Sequence, residues 1–343
     1  MIIYYAAGGG LGHLTRARSA IHSLSINEPV ALVTASPFAA DNRIVGDAQV
    51  IGIPQNFSGD LQGYQQWLEK TFIEYAPTEI FLDAFPCGIL SEFGNFNFPG
   101  NAKLIHLARN LRWFEYEKVI QGKPPFFQQV YFVETLENEQ QAFLLTNTEA
   151  MSFLELQDPP VDLSEEEKII VRTFQERFTH DPRPCWLIVH SGSAEEIAEL
   201  LAYAGEMSEQ EQINPRLVLV APQKIDLPNL KKLSRLQPGD SQLQQLDSDA
   251  QTSDIEHQTP DAKFQTPDAR RQTVLERIDF YPASALFPFV HRIITAAGFN
   301  AMRQTENYRE KHRFLPFARR FDNQFLRAAR RHATESAKQK FEI

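Results

Sequence analysis

Short β-branched or aromatic runs alternate with helical stretches along the first half of the chain, and this alternation constrains the fold most. It is the pattern of β-α units on a parallel sheet and predicts an α/β protein. Apolar side chains recur every three or four residues from Leu61 to Tyr75, which predicts a helix there that Pro77 ends. The predicted strands of this half are Ile2–Ala6, Val30–Thr34, Gln49–Ile53, Glu79–Asp83, Lys103–Leu107 and Val130–Val133.

The same pattern restarts after two interruptions, a polar and proline-bearing stretch at 157–167 and a second break at 181–184. A chain of 343 residues is long enough for two cores, since single cores stop growing beyond about 250 residues. We therefore expect one domain over 1–165, a second over 180–325, and a C-terminal helix or tail over 326–343. The elements predicted for the second half are strand Trp186–Val189, helix Ala194–Tyr203, and strands Arg216–Val220, Arg277–Phe280 and Arg292–Thr295.

One segment of the second half, at 226–272, departs from the pattern. It is rich in Gln, Asp, Ser, Thr and Pro, and it reads QTPDA at both Gln258–Ala262 and Gln265–Ala269. Such a composition buries too little apolar area to offset the entropy of ordering. The segment is therefore predicted to be a mobile insertion, for which a tolerated surface loop is favoured over a regulatory or partner-binding role.

Charge and cysteine content exclude several classes of protein. The 34 basic and 44 acidic side chains give a net charge of −10, which argues against nucleic acid as a partner. Cys87 and Cys185 lie far apart without CxxC spacing, and no Asp-x-Asp pair ends a predicted strand, so neither a disulfide framework, a metal site nor a cofactor is expected. The first residues enter a strand without a basic leader, and no apolar run approaches about 20 residues, so we expect a cytoplasmic protein.

A glycine loop, Gly8-Gly9-Gly10-Leu11-Gly12-His13, follows the first strand and opens a helix. Glycines let the backbone approach a ligand and leave helix N–H groups free to bind an oxygen. A phosphate-binding P-loop would end in Gly-Lys-Ser/Thr, and a dinucleotide loop would have a small residue at His13 and an acid after the second strand. Neither is present, so NAD is disfavoured. His13 is a functional candidate at the sheet edge, against the alternative of a structural histidine.

A second loop of small residues follows the strand at Trp186 and reads His190-Ser191-Gly192-Ser193 before a helix at Ala194. The N–H groups at this helix start suit a diphosphate, and the alternative is an ordinary cap by Ser191 or Ser193. Three further segments follow downstream. A predicted helix start with small residues and a glycine lies at 295–304, an apolar strand that ends in Pro-Phe lies at 313–317, and an Asp-x-Gln sequence lies at 322–324.

In their order along the chain, these segments resemble glycosyltransferase family 28, whose best-known member adds N-acetylglucosamine to the lipid-linked peptidoglycan precursor. The likeness covers most of both halves. It implies a GT-B fold, in which two Rossmann-like domains face across a cleft with the acceptor on the first and the donor on the second. The family's GGxxGH loop is matched by Gly8 to His13, so the resemblance makes His13 the general base. Asp83, at the end of the fourth strand, is the next candidate.

The resemblance implies an inverting, metal-independent transfer from a UDP-sugar, N-acetylglucosamine or another hexose, to a hydroxyl of a lipid-linked or small glycan acceptor. Two departures stand out. Of the family's acceptor-side His-Glu-x-Asn motif, only Asn110 is present. Gln304 stands where the family has a Glu that accepts hydrogen bonds from both ribose hydroxyls, whereas an amide accepts hydrogen bonds with its oxygen end only. The acceptor-side residues are Gly9, Gly10, Gly12 and Asn110. The donor residues are Ser191, Gly192, Ser193, Gly298, Phe299, Asn300, Gln304, Arg319, Arg320, Asp322 and Gln324, the two arginines being placed near the pyrophosphate.

Two alternatives remain open from the sequence: a UDP-N-acetylglucosamine 2-epimerase on the same fold, and a nucleotide-sugar-binding protein without catalysis. The epimerase requires several acids in the cleft, where the motifs offer only Asp83 and Asp322. Two aromatic clusters could contact a lipid acceptor or a membrane surface, or they could pack inside the protein. Buried packing is the favoured interpretation. Their members are Phe93, Phe96, Phe98, Trp113, Phe114 and Tyr116.

Overall fold

The computed structural model describes residues 1–57, 59–222 and 275–341, and the predicted insertion at 226–272 lies outside them. Within the described residues the chain forms two separate parallel sheets with helices between their strands. The strands of the first sheet lie between Ile2 and Phe153, and the described strands of the second lie between Cys185 and Leu315. The expected α/β class is therefore confirmed.

The first sheet has seven strands in the order β3-β2-β1-β4-β5-β6-β7, all parallel. The predicted strands of this half are confirmed to within a residue at each end, and β7 was not predicted. Because β1 pairs with β2 on one side and β4 on the other, the carboxyl ends of β1 and β4 are neighbours. The strands are β1 Ile2–Ala6, β2 Val30–Thr34, β3 Gln49–Gly52, β4 Glu79–Asp83, β5 Lys103–Ala108, β6 Gln129–Phe132 and β7 Met151–Phe153.

Helices of the first half follow local signals in the sequence. Helix α3 coincides with its predicted range, begins at the capping carboxylate of Asp60, and ends at Ala76 in the left-handed conformation just before Pro77. The helices are α1 Leu11–Ser23, α2 Asn42–Val45, α3 Leu61–Tyr75, α4 Trp113–Tyr116 and α5 Asn138–Thr146. Short 3₁₀ turns lie at Pro37–Ala40, Gln55–Phe57 and Glu117–Val119.

The second sheet has five described strands in the order β10-β9-β8-β11-β12, again all parallel. Strand β8 pairs with both β9 and β11, as β1 does with β2 and β4. The predicted strand at 277–280 is observed two residues earlier. The strands are β8 Cys185–Val189, β9 Arg216–Val220, β10 Leu275–Ile278, β11 Arg292–Ala296 and β12 His312–Leu315.

The helices of the second half include one that the sequence analysis missed. Helix α6 begins at Ser164, which forms a capping box with Glu167, and its Phe174 packs with Leu187 and Leu286 against the second sheet. The helices are α6 Glu165–His180, α7 Ala194–Gln210, α8 Phe299–Gln304 and α9 Gln324–Phe341, with 3₁₀ turns at Ala283–Phe289 and Glu306–Lys311. Within the described residues, none of the helices has the length and apolar character to cross a bilayer.

Apolar residues cover both faces of each sheet, as parallel sheets require. Of the two aromatic clusters, Phe93, Trp113 and Tyr116 are buried and Phe96 and Phe98 pack against the first core. Buried packing is confirmed for these five. The side chain of Phe114 is 67% exposed, with the Lys118 ammonium over its ring.

Candidate functional site

A cavity of about 920 Å³ lies between the carboxyl edges of the two sheets. Loops after β1, β2 and β5 line it from the first half, and loops after β8, β9, β10, β11 and β12 line it from the second. This is the edge at which open α/β sheets bind ligands. The predicted site residues that line it are Gly10, Gly12, His13, Ser191, Gly192, Gly298, Phe299, Asn300, Gln304, Arg319, Asp322 and Gln324.

His13 faces this cavity from the first turns of α1 and is held by a carboxylate behind it. Its Nδ1 lies 2.5 Å from Oδ2 of Asp83, the last residue of β4. The two candidates for catalysis, 70 positions apart, are therefore brought together by the pairing of β1 with β4. A Cβ atom at Gly8 would lie 2.1 Å from the His13 ring, so the first glycine of the loop makes room for that ring.

Asp83 is fully buried and binds two further groups besides His13. Arg16 donates from Nε to Oδ1 at 2.7 Å and from Nη2 to Oδ2 at 2.5 Å, and the Tyr4 hydroxyl donates to Oδ1 at 3.2 Å. Burial alone raises the pKa of a carboxyl group, but Arg16 and His13 outweigh burial and hold the pKa of Asp83 well below its usual value. Asp83 is therefore ionised.

The charge on Asp83 fixes the tautomer of His13. A carboxylate 2.5 Å from Nδ1 requires a proton on that nitrogen, which leaves Nε2 of the neutral ring as an acceptor. Burial lowers the pKa of His13, and although Asp83 opposes this, the Arg16 and Arg109 guanidiniums lower it further. His13 is therefore neutral at pH 7 with Nε2 able to take up a proton.

A second charged network joins the two halves beside His13. Arg109, which follows β5, donates from Nη1 to Oδ1 of Asp322, and Arg327 of α9 donates to Asp322 and to Glu134. The Arg109 side chain is 8% exposed. Burial raises the pKa of Asp322, but the two arginines outweigh it and hold that pKa well below its usual value. Asp322 therefore lines the cavity as an ionised carboxylate to which Arg109 and Arg327 already donate hydrogen bonds.

The start of α7, predicted to hold a diphosphate, carries two acids in its first turn, Glu195 and Glu196. Glu196 accepts hydrogen bonds from the Arg319 guanidinium and lies 2.7 Å from Nε2 of His190. Burial raises the pKa of Glu196, but Arg319 and His190 outweigh burial and lower it. An anion that binds at this helix start would therefore lie near the Glu196 carboxylate, whose negative charge is balanced by the Arg319 guanidinium.

Three donor-side amides bind protein groups at defined ends. Gln304 donates from Nε2 to Oδ2 of Asp158 at 2.9 Å, and Asn300 donates from Nδ2 to the carbonyl of Gly12 at 2.8 Å across the cavity. Gln324 accepts from the backbone N–H of Phe317 at 3.0 Å. The Asp158 carboxylate fixes the Gln304 amide, so the acceptor end of Gln304 is the end that remains for a ligand.

Five residues predicted for the site do not line the cavity: Asp83, which lies behind His13, and the four residues Ser193, Arg320, Asn110 and Gly9. Ser193 caps α7 through Oγ, and the Arg320 guanidinium lies 4.6 Å from the centre of the Phe321 ring. Asn110 is buried and accepts from the N–H of Glu137, and Gly9 is exposed. Helix capping, a cation–ring contact and a core hydrogen bond therefore account for Ser193, Arg320 and Asn110.

The sequence analysis missed several charged residues of the site. His13 and Arg16 lie three positions apart at the start of a helix, a spacing that places them on one face and was available as a signal. Arg109 precedes Asn110 at a strand end, and His190 belongs to the predicted second loop. Arg43 lines the cavity too, bound to Asp41 and Asp279, and no motif marks it. Within the described part of the chain, no cluster of three or more His, Cys, Asp or Glu side chains is arranged to hold a metal ion.

No protein-family model matches the sequence, and no curated protein matches it. Solved structures do resemble the fold. A Staphylococcus aureus MnaA-UDP co-structure has a TM-score of 0.53 at 9% identity, with 93% of this chain and 79% of that chain covered. A ugt transferase from Siraitia grosvenorii in complex with UDP has a TM-score of 0.48 at 12% identity, covering 95% and 82%. A UDP-N-acetylglucosamine 2-epimerase from Rickettsia bellii has a TM-score of 0.46 at 9% identity, covering 89% and 76%.

The likeness to the MnaA structure and the two parallel sheets establish the fold class. The chain has a GT-B fold, with two Rossmann-like domains whose carboxyl edges face each other across the cavity. The fold expected from the sequence is confirmed. At 9% identity, the likeness to the MnaA structure shows the fold and not the reaction.

Proposed function

We propose that the chain is a glycosyltransferase that moves a hexose, such as N-acetylglucosamine, from a UDP-sugar to a hydroxyl acceptor with inversion and without a metal ion. The observation that carries the proposal is the neutral His13, held by the buried Asp83 at the wall of a cavity between two Rossmann-like domains. The MnaA structure of the same fold was obtained with UDP, which supports a uridine nucleotide as the donor's leaving group.

In this mechanism His13 is the general base. The acceptor hydroxyl attacks C1 of the donor sugar while its proton moves to Nε2 of His13, and the bond between C1 and the diphosphate oxygen breaks. One displacement inverts C1 and releases UDP. Asp83 stabilises the imidazolium that forms, because its carboxylate already accepts the Nδ1 proton.

The negative charge that develops on the leaving diphosphate must be stabilised on the donor side. The groups that we assign to this task are the Arg319 guanidinium and the backbone N–H groups around Gly192 and Gly298, which line the cavity. The sugar and ribose are assigned to Phe299, Asn300, Gln304, Asp322 and Gln324. The acceptor is assigned to the Gly10–Gly12 loop on the opposite wall.

The experiment that tests the proposal is a thermal-shift screen of UDP-, GDP- and dTDP-sugars, followed by product analysis with the stabilising donors. A transferase yields UDP together with a glycoside that has the inverted anomeric configuration. A 2-epimerase instead yields the epimeric sugar without an acceptor, and a binding protein leaves the donor unchanged. Either of the last two results contradicts the proposal.

Metal independence is tested in the same assay with and without chelator. Because the proposed diphosphate ligands are a guanidinium and backbone N–H groups, UDP is expected to bind equally well in both conditions. Loss of binding with chelator, restored by a divalent cation, contradicts this part of the proposal.

A further inference from the structure

The least expected residue beside the proposed base is Arg16, one helical turn after His13 on α1. Both side chains bind the same carboxylate: Nδ1 of His13 and Nη2 of Arg16 each lie 2.5 Å from Oδ2 of Asp83. The Arg16 side chain is 4% exposed and that of His13 is 16% exposed. The site therefore contains one buried carboxylate and two neighbours that are able to carry its counter-charge.

A buried carboxylate in its ionised form is strongly stabilised by an adjacent cation. If Arg16 were absent, His13 would be the adjacent group to supply that cation, by taking up a second proton at Nε2. A histidine protonated at both nitrogens has no lone pair for a substrate proton. Without Arg16, the Asp83 charge would therefore shift His13 toward the doubly protonated form, which is inactive as a base.

We infer that Arg16 is a positioning residue of the base: its guanidinium supplies the counter-charge of Asp83, so that His13 remains neutral with Nδ1–H on Asp83 and Nε2 free. This inference rests on the proposed function of His13. The two hydrogen bonds from Nε and Nη2 also fix the plane of the carboxylate, and with it the direction of the His13 ring.

The other charged and titratable groups around the pair agree with this assignment. His13 is faced by Asp83 from β4, by Arg16 from its own helix and by Arg109 from the end of β5, and Asp83 is also faced by Tyr4 from β1. Burial and the two arginines lower the pKa of His13, whereas Asp83 raises it. Nη2 of Arg16 lies 3.1 Å from Nδ1, close enough for its charge to disfavour an imidazolium.

The direct test is an NMR titration of His13 in the full chain with labelled histidine, comparing the wild type, Arg16→Gln and Arg16→Lys. Loss of the guanidinium is expected to raise the titration midpoint of His13 by about one to three pH units, the usual effect of one nearby charge. Lysine keeps the cation, so its midpoint should stay near that of the wild type. Arg18→Gln is the matched control, because Arg18 lies on the same helix and donates to the carbonyl of Arg43 instead.

The transfer reaction supplies a second readout. In Arg16→Gln the acidic limb of the pH–rate profile should move up with the His13 midpoint, and near pH 9 the rate should return to within a few-fold of the wild type. A purely structural role lowers the rate equally at every pH and leaves the His13 midpoint unchanged, and that result overturns the inference.

Two further results keep the test decisive. If Arg16→Gln does not fold, the wild type alone still tests the inference, because an imidazolium at His13 at pH 7, seen in its nitrogen shifts, overturns it. If no donor and acceptor give transfer, the proposed function fails, while a raised midpoint in Arg16→Gln still supports the electrostatic role of Arg16.

Discussion

Each half of the molecule brings a histidine, a carboxylate and an arginine together at the loop that follows a central strand of its sheet. In the first half these are His13, Asp83 and Arg16, and in the second they are His190, Glu196 and Arg319. The residue types are nearly the same, yet the carboxylates come from different places. Asp83 ends a strand and lies behind the histidine, whereas Glu196 lies in the first turn of a helix.

This difference in position separates two chemical roles. A carboxylate behind His13 leaves one ring nitrogen free toward the cavity, and α1 has no acid in its first turn. At His190, Glu196 instead occupies Nε2 and also binds the arginine proposed for the diphosphate. We therefore propose proton transfer for the first triad (His13, Asp83 and Arg16) and charge balance for the second (His190, Glu196 and Arg319), and the predictions below test that division.

Matched histidine substitutions should give the largest difference. His13→Ala is expected to lower single-turnover transfer by about 100-fold or more, the usual scale for losing a general base, with UDP affinity nearly unchanged. His190→Ala should leave turnover within a few-fold. Single-turnover rates, UDP affinity and melting temperature measured on both variants check this, and equal losses of turnover would remove the distinction between the triads.

Matched carboxylate substitutions should separate the triads by stability. Asp83→Asn leaves the Arg16 cation buried without a counter-charge and is expected to cost about 3–5 kcal/mol of unfolding free energy. Glu196→Gln should cost about 1 kcal/mol or less, since Arg319 is about one-third exposed and keeps access to water. Urea unfolding of both variants is the measurement. A cost for Glu196→Gln as large as that for Asp83→Asn would contradict the contrast in burial.

Donor affinity should change in the second triad alone. Glu196→Gln removes a negative charge at the start of α7 and frees Arg319, so UDP is expected to bind about fivefold more tightly, equivalent to about 1 kcal/mol. Calorimetric titration with UDP at low salt checks this, with Glu195→Gln as the control for the general loss of charge. Weaker binding in Glu196→Gln would show that Glu196 holds Arg319 in place for the donor.

The smallest effect is expected at Gln304. Gln304→Glu introduces the residue typical of the resembling family, but here it would face the Asp158 carboxylate, so we expect a stability loss of about 1 kcal/mol and no gain in UDP affinity. The double variant Gln304→Glu with Asp158→Asn should recover the stability. Melting temperatures of the two single variants and the double variant decide whether the side chains at positions 304 and 158 are energetically coupled.

Much of the fold was predictable because periodicity and turn residues are local. The helix at 61–75 and the strand at 79–83 are examples that the structure reproduces without change. Helix α6 was missed although Ser164 and Glu167 have the spacing of a capping box, because the polar and proline-rich composition before it indicated a linker. Predicting this helix would have required giving the capping-box spacing more weight than the polar, proline-rich composition before it.

The contacts of the site were less predictable than its members. His13 and Asp83 were each selected from the sequence, but their contact depends on β1 lying next to β4, and strand order is a property of the whole sheet. The bond from Arg109 to Asp322 spans 213 positions and joins two domains. No local pattern encodes such a pair, so the charge environment of the proposed base emerged from the structure alone.

The chain passes from the first half to the second near Asp158, and its last helix then returns to the first half, where Arg327 binds Glu134 and Arg330 donates to the carbonyl of Thr135. The last helix therefore holds the two halves together at a place far in sequence from the chain crossing. Moving the halves apart would require breaking the ion pair between Arg327 and Glu134 as well as the contacts across the cavity.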